Sequence, residues 1–102
     1  MRLLLIDTCG TVGSVALATE GGVVARAEMA GRSASERLVA VVREMLAAAG
    51  WSLRELTAIV VVSGPGSFTG VRVGLSAAKG FSEAAGVPVV AISRLGVLAA
   101  AA

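Results

Sequence analysis

Residues 57–74 read Thr57-Ala58-Ile59-Val60-Val61-Val62-Ser63-Gly64-Pro65-Gly66-Ser67-Phe68-Thr69-Gly70-Val71-Arg72-Val73-Gly74. The first six are β-branched or apolar throughout, the pattern of a strand buried on both faces in parallel pairing. Ser63-Gly64-Pro65-Gly66-Ser67 is a rigid turn. A helix follows, with Thr69 near its N-cap, running to about residue 85 and carrying Val71, Leu75, Ala78 and Phe81 on one side. Gly86-Val87-Pro88 closes it, and residues 89–92 supply a further strand. Strand, helix and strand in this order make a parallel βαβ unit, which sets the chain in the α/β class.

Upstream, the period is two rather than three or four. Residues 2–8 form a short apolar run with a polar end, and Cys9-Gly10-Thr11-Val12-Gly13 turns the chain. Residues 14–19 alternate, with Val15 and Leu17 set against Ala16 and Ala18. Glu20-Gly21-Gly22 is a hairpin signal, and residues 23–29 return as a third strand. Then Ser33 and Glu36 match a capping box, and Leu38, Val41, Val42, Met45, Leu46 and Ala49 recur at helical spacing until Gly50 stops the helix. Ser52-Leu53-Arg54-Glu55 reads as a short helical turn. Downstream, Ser93 or Arg94 opens a last helix that runs into Ala99-Ala100-Ala101-Ala102 without a cap, so residues 1–102 read as one domain and a fragment of something longer. The expected order is βββαβαβα, a mixed five-stranded sheet with helices packed on it.

Composition narrows the chemistry. The chain has 102 residues, 56% apolar and 16% charged, a balance incompatible with intrinsic disorder. A single cysteine excludes a disulfide scaffold and a thiolate zinc site. The histidine count is zero, so no Ser-His or Cys-His pair and no histidine metal ligand exists. The net charge of +2 comes from scattered arginines rather than a basic stripe, and three aromatic residues make no stacking platform for nucleic acid. The apolar runs are too short and too interrupted for a membrane span or a signal peptide, which points to a soluble intracellular protein.

Two glycine-bearing segments are candidate phosphate sites. Asp7, Thr8, Gly10 and Thr11 lie where the first strand ends. Backbone N–H groups there can approach a phosphate, and a strand-end Asp can hold hydrated Mg²⁺. The plainer alternative is an Asp capping its own turn. Gly64, Gly66, Ser67, Thr69 and Arg72 lie where a strand passes into a helix, a place where N–H donors and the helix dipole converge on an anion. The segment lacks the Gly-Lys-Ser/Thr ending of a P-loop and the Rossmann glycine spacing. Its plainer alternative is a tight turn whose glycines let helix and sheet pack closely. The apolar helix faces are ordinary core or a partner surface, and the small residues Gly74, Ala77 and Ala78 would let another helix come close. No catalytic residue and no metal ligand set is assigned. Cys9 sits in a glycine turn with nothing nearby to lower its pKa.

Leu5-Ile6-Asp7-Thr8, Ser35-Glu36-Arg37-Leu38 and above all Ser63-Gly64-Pro65-Gly66-Ser67-Phe68-Thr69-Gly70-Val71-Arg72-Val73-Gly74 resemble the TsaB (YeaZ) family. The likeness covers the whole chain. It implies the first lobe of the actin-like, Hsp70 and sugar-kinase ATPase fold (ribonuclease H-like), with residues 7–11 in the place of the superfamily's first phosphate hairpin and a second lobe missing. It implies a cytoplasmic, non-catalytic scaffold for threonylcarbamoyladenosine modification of tRNA at position 37, pairing with TsaD, supporting TsaE and touching tRNA only through the complex. Homodimers through the same surface are expected in isolation. The pairing surface would be the first two helices, with Leu38, Val41, Val42, Met45, Val71, Leu75, Ala78 and Ser82 as contacts. Cofactors are expected to be none, with ATP or ADP and Mg²⁺ at a complex interface as the exception. An old glycoprotease label finds no support in these residues. The competing expectation is an ATP-binding phosphotransferase of the same superfamily. Many relatives carry His where this chain has Ser33 or Ala34.

Overall fold

The computed structural model describes residues 1–10, 12–30, 34–64 and 68–93. The elements are β1 (Leu3–Asp7), β2 (Val12–Thr19), β3 (Gly22–Ala30), α1 (Ala34–Ala49), a 3-10 turn at Leu53–Glu55, β4 (Ala58–Val62), α2 (Phe68–Ala85) and β5 (Val89–Ile92). The strands form one sheet in the order β3-β2-β1-β4-β5. β1 pairs antiparallel with β2, which pairs antiparallel with β3, while β1–β4 and β4–β5 are parallel. The expected order as far as β5, βββαβαβ, and the mixed pairing are thus present. The expected Ser33–Glu36 capping box and the last helix from residue 94 lie outside the described residues.

Side-chain alternation assigns each strand residue to a face. Two rows cross the sheet on one side: Ala25–Leu17–Leu4–Ile59–Val89 and Ala27–Val15–Ile6–Val61–Ala91. Both helices lie on this side, α1 over β2 and β3, and α2 over β4, β1 and β5. Leu4, Ile6, Leu17, Ile59, Val61 and Val15 are essentially inaccessible and share one core cluster with Leu38, Val42 and Ala78 of the helices. The sequence pattern predicts a fourth strand buried on both faces. In the structure Ala58 and Val60 are half-buried, because the described helices cover only the Ile59–Val61 side.

The helices end where glycine can take a left-handed conformation. Gly50 has φ of 73° and Gly86 has φ of 70°. At such values a Cβ would be strained, and the reversed backbone returns N–H groups to the last helical carbonyls. Trp51 N donates to Leu46 O at 2.9 Å, and Gly86 N to Ser82 O at 2.8 Å.

Candidate functional site

Parallel strands bring their carboxyl ends to the same edge of a sheet, so the turns after β1 and β4 meet. The structure places Asp7, Thr8 and Gly10 at this pole, beside Gly64 and the first turn of α2. The contact is specific. The buried Thr8 hydroxyl donates to the Gly70 carbonyl, joining the end of β1 to α2. The Cys9 thiol donates to Val62 O at 3.2 Å, joining the same turn to the end of β4. Gly64 has φ of 135°, a conformation that glycine tolerates best.

Gly74 explains how close α2 comes. A Cβ there would stand 2.6 Å from Thr8 Oγ1 and 3.4 Å from Val61 Cγ2. The small residue therefore serves approach of this helix to its own sheet, as the plainer alternative had it, and not approach of another helix.

The donor set is partly engaged. Asp7 Oδ1 accepts the Cys9 N–H at 3.0 Å, so the carboxylate caps its own turn. Thr8 is committed to Gly70. Arg72 is exposed in the second turn of α2. Thr11, Gly66 and Ser67 lie outside the described residues, as does the Thr69 side chain. Thr69 itself stands in the first turn of α2 rather than at its N-cap, since the helix starts one residue earlier, at Phe68. Among the described residues no group of three or more Cys, Asp or Glu stands together to hold a metal ion. One carboxylate with an oxygen already bonded is a thin fit to Mg²⁺, and no step is built on that ion. Cys9 is buried rather than offered to solvent.

The expected partner contacts divide in a way the spacing does not show. Leu38, Val41, Val42, Met45 and Ala78 are at most 9% exposed and belong to the core, so they face the sheet and are not available to an outside protein. Ser82 is half-buried and donates its hydroxyl to Val87 O, fixing the exit of α2. Val71 is half-buried, and Leu75 is turned outward at 36% exposure instead of sharing the side of Ala78 and Phe81. The outer face of α1 carries Val39 at 44%, which the helical period missed because it falls outside the apolar stripe. The exposed small residues of α2 are Ser76, Gly80 and Ala84, whereas Gly74 and Ala78 are buried.

A second cluster escaped the sequence altogether. The Arg2 guanidinium lies 5.0 Å from the Trp51 ring centroid and donates from Nη1 to Glu55 Oε2 at 2.7 Å. Glu55 also accepts the Ser52 N–H at 2.8 Å through its other oxygen. The Ser52 backbone bond, then the Ser52 hydroxyl, hold the Glu55 carboxyl below its ordinary pKa, with Arg2 adding to them. Residues 53 apart in sequence give no local signal for such a contact.

The family model described as "TsaD: tRNA N6-adenosine threonylcarbamoyltransferase" matches residues 11–102. The chain belongs to this family. The tRNA threonylcarbamoyladenosine biosynthesis protein TsaB of Escherichia coli is 40% identical over 93% of the chain and 41% of that relative. A tRNA N6-adenosine threonylcarbamoyltransferase from Ruegeria is 45% identical over 74% of the chain and 20% of that protein. Among solved structures, YeaZ from Pseudomonas aeruginosa superimposes with a TM-score of 0.85 at 38% identity, covering 96% of the chain and 46% of that structure. RuvC from Thermus thermophilus matches at 0.65 with 19% identity, over 91% of the chain and 64% of RuvC, which shows the shared ribonuclease H-like fold. The chain spans less than half the length of these TsaB and YeaZ relatives.

Proposed function

We propose that the chain is the first lobe of a TsaB-type accessory subunit, a non-catalytic scaffold in threonylcarbamoyladenosine synthesis on tRNA. The observation that carries this is the 40% identity to a protein named TsaB along nearly the whole chain. A chain without histidine also lacks the commonest general base. The partner is a TsaD-type transferase, with TsaE recruited to the pair and tRNA met only through the complex. The place of action is the cytoplasm, and no helix among the described residues is long and apolar enough to cross a membrane.

The docking surface is the outer side of α1 and the flank of α2 that carries Leu75, with half-buried Val71 one turn before it and Val39 on α1. Exposed apolar residues on neighbouring helices are what an association surface needs. The test is co-purification with the transferase subunit. Val39→Asp and Leu75→Asp, both at exposed positions, are expected to reduce capture at least tenfold while leaving the circular dichroism spectrum unchanged. Full capture by the double variant would overturn the reading. Light scattering on the chain alone reads whether the same face forms a homodimer.

A second reading, a nucleotide-binding lobe, is favoured by the junction of residues 7–10 with the first turn of α2. Calorimetry with Mg-ATP decides it. Measurable heat that falls on Asp7→Ala supports nucleotide binding, and no heat at millimolar nucleotide removes it.

A further inference from the structure

β3 is the outer strand on one side of the sheet, so its outward N–H and C=O groups have no neighbouring strand among the described residues. Its nine residues make it the longest of the five described strands. Edge strands are commonly short, or broken by proline or a bulge, which keeps other chains from pairing with them. β3 has one such break, near its start: Leu17 pairs with Ala25 and Ala18 with Val23, so Val24 is an extra residue. From Ala25 to Ala30 the register is unbroken and holds no proline. Arg26 and Glu28 stand on this stretch, both exposed and both on the side of the sheet away from the helices. Among the described residues neither has an ion-pair partner.

We propose that β3 pairs antiparallel with β3 of a second copy of this chain, about a two-fold axis at Ala27. An axis perpendicular to the sheet keeps the same face up in both copies, so each residue meets one from its own side of the sheet. Three such registers centre on the charged stretch. With the axis at residue 26, Arg26 stands opposite Arg26 of the second copy. With the axis at residue 28, Glu28 stands opposite Glu28. Like charges directly opposite are destabilising. With the axis at Ala27, Arg26 lies opposite Glu28 and Glu28 opposite Arg26, so two opposite-charge pairs form at once. On the helix side the same register sets Ala27 against Ala27 and Ala25 against Met29, small against large. Two sheets of five strands then continue as one, with α2, which lies over β4, β1 and β5, at the far end of each half. The Leu75 flank is a separate surface, and this pairing stands or falls independently of it. One strand from each copy is a small contact, so the pair forms at high protein concentration.

Ala27→Cys in the whole chain tests the axis. In this register the two thiols stand opposite each other, with Cα atoms about 4.5–5.5 Å apart, inside the range of about 4.4–6.8 Å that a disulfide accepts. Mild oxidation at high protein concentration is expected to give a covalent dimer, while the parent chain, whose Cys9 is buried, gives none. In the Ala27→Cys chain, Arg26→Glu and Glu28→Arg are each expected to slow the linkage at least fivefold. The two together are expected to restore it to within twofold of the starting rate, because the exchange reinstates both pairs. Circular dichroism confirms that each variant is folded, and Leu75→Asp is expected to leave the rate unchanged. An Ala27→Cys chain that stays monomeric overturns the proposal and leaves Arg26 and Glu28 as guards of a solitary edge. So does a linkage that ignores the single charge reversals, or that the double reversal does not restore. Loss of the linkage in Leu75→Asp would assign the dimer to the helix side and overturn it as well.

Discussion

α1 and α2 rest on the same sheet face but by different means. α1 covers the antiparallel hairpin with large side chains, Leu38, Val41, Val42, Met45 and Leu46. α2 covers the parallel strands through Gly74, Ala78 and Phe81, and its first turn is bonded to Thr8. One helix is held off by bulk and stabilised by apolar area. The other sits so close that its own backbone makes the contact. Stability under α1 should therefore scale with volume removed, and stability under α2 with volume added.

The largest effect is expected where bulk is removed. Leu38 is 1% exposed, and Leu38→Ala should cost about 2–5 kcal/mol, the transfer and cavity terms together. Urea denaturation with an unchanged slope checks it. A loss under 1 kcal/mol would mean that α1 collapses into the gap and the contrast with α2 is weaker than drawn.

Adding one methyl group under α2 is the sharper probe. Gly74→Ala should destabilise by about 1–3 kcal/mol through overpacking, because Thr8 is buried, β-branched and bonded, and cannot swing aside. In a Thr8→Ala background the clash at 2.6 Å disappears. There the same substitution should be neutral or stabilising by up to about 1 kcal/mol, since alanine is the better helix former. A double-mutant cycle measures this coupling. If Gly74→Ala costs the same in both backgrounds, Thr8 is not what keeps the helix close. On the outer side, Leu75→Ala should change stability by no more than about 0.5 kcal/mol, since that side chain lies at the surface.

These two packing modes also account for what was legible in the sequence. The stripe of α1 announces itself because each buried position is large and apolar, and Gly50 marks its end. The bounds of β5 and the glycine that closes α2 read directly. The rotation of α2 does not, because apolar weight favours Leu75, whereas a closely docked helix presents its smallest residues to the sheet. The same ambiguity made core positions on α1 candidates for partner contact: an apolar stripe shows that something covers it, not what. The two glycine turns were legible as candidate phosphate segments, and the parallel β1–β4 pairing explains why they meet. That Asp7 caps its own turn is the plainer of the two sequence alternatives and rests on a partner two residues away. That Thr8 spends its hydroxyl inside the fold could not be read, since hydrogen-bond partners 62 residues apart leave no periodic trace.

The exits of the two helices extend the contrast to pH. α2 leaves through uncharged bonds, Gly86 N to Ser82 O and the Ser82 hydroxyl to Val87 O. α1 leaves past Trp51 into a turn held by the ionised Glu55, which accepts Ser52 N–H and the Arg2 guanidinium. A carboxyl whose pKa is lowered by folding contributes stability above its unfolded value, and that contribution is lost as pH falls through the folded one. The turn after α1 should therefore loosen on acidification below the ordinary carboxylate range, while the exit of α2 stays indifferent. Glu20, lowered chiefly by its hydrogen bond from the terminal ammonium, titrates in the same direction but stands far from this turn in sequence. Trp51 is the chain's single tryptophan and lies against Arg2, so its emission reports the event directly. The change on acidification should vanish in Glu55→Gln and persist in Glu20→Gln. The effect will be small, because both carboxylates are exposed and salt screens their partners. An acid transition in Trp51 emission that survives Glu55→Gln would place its origin elsewhere and remove the charge from this end of α1.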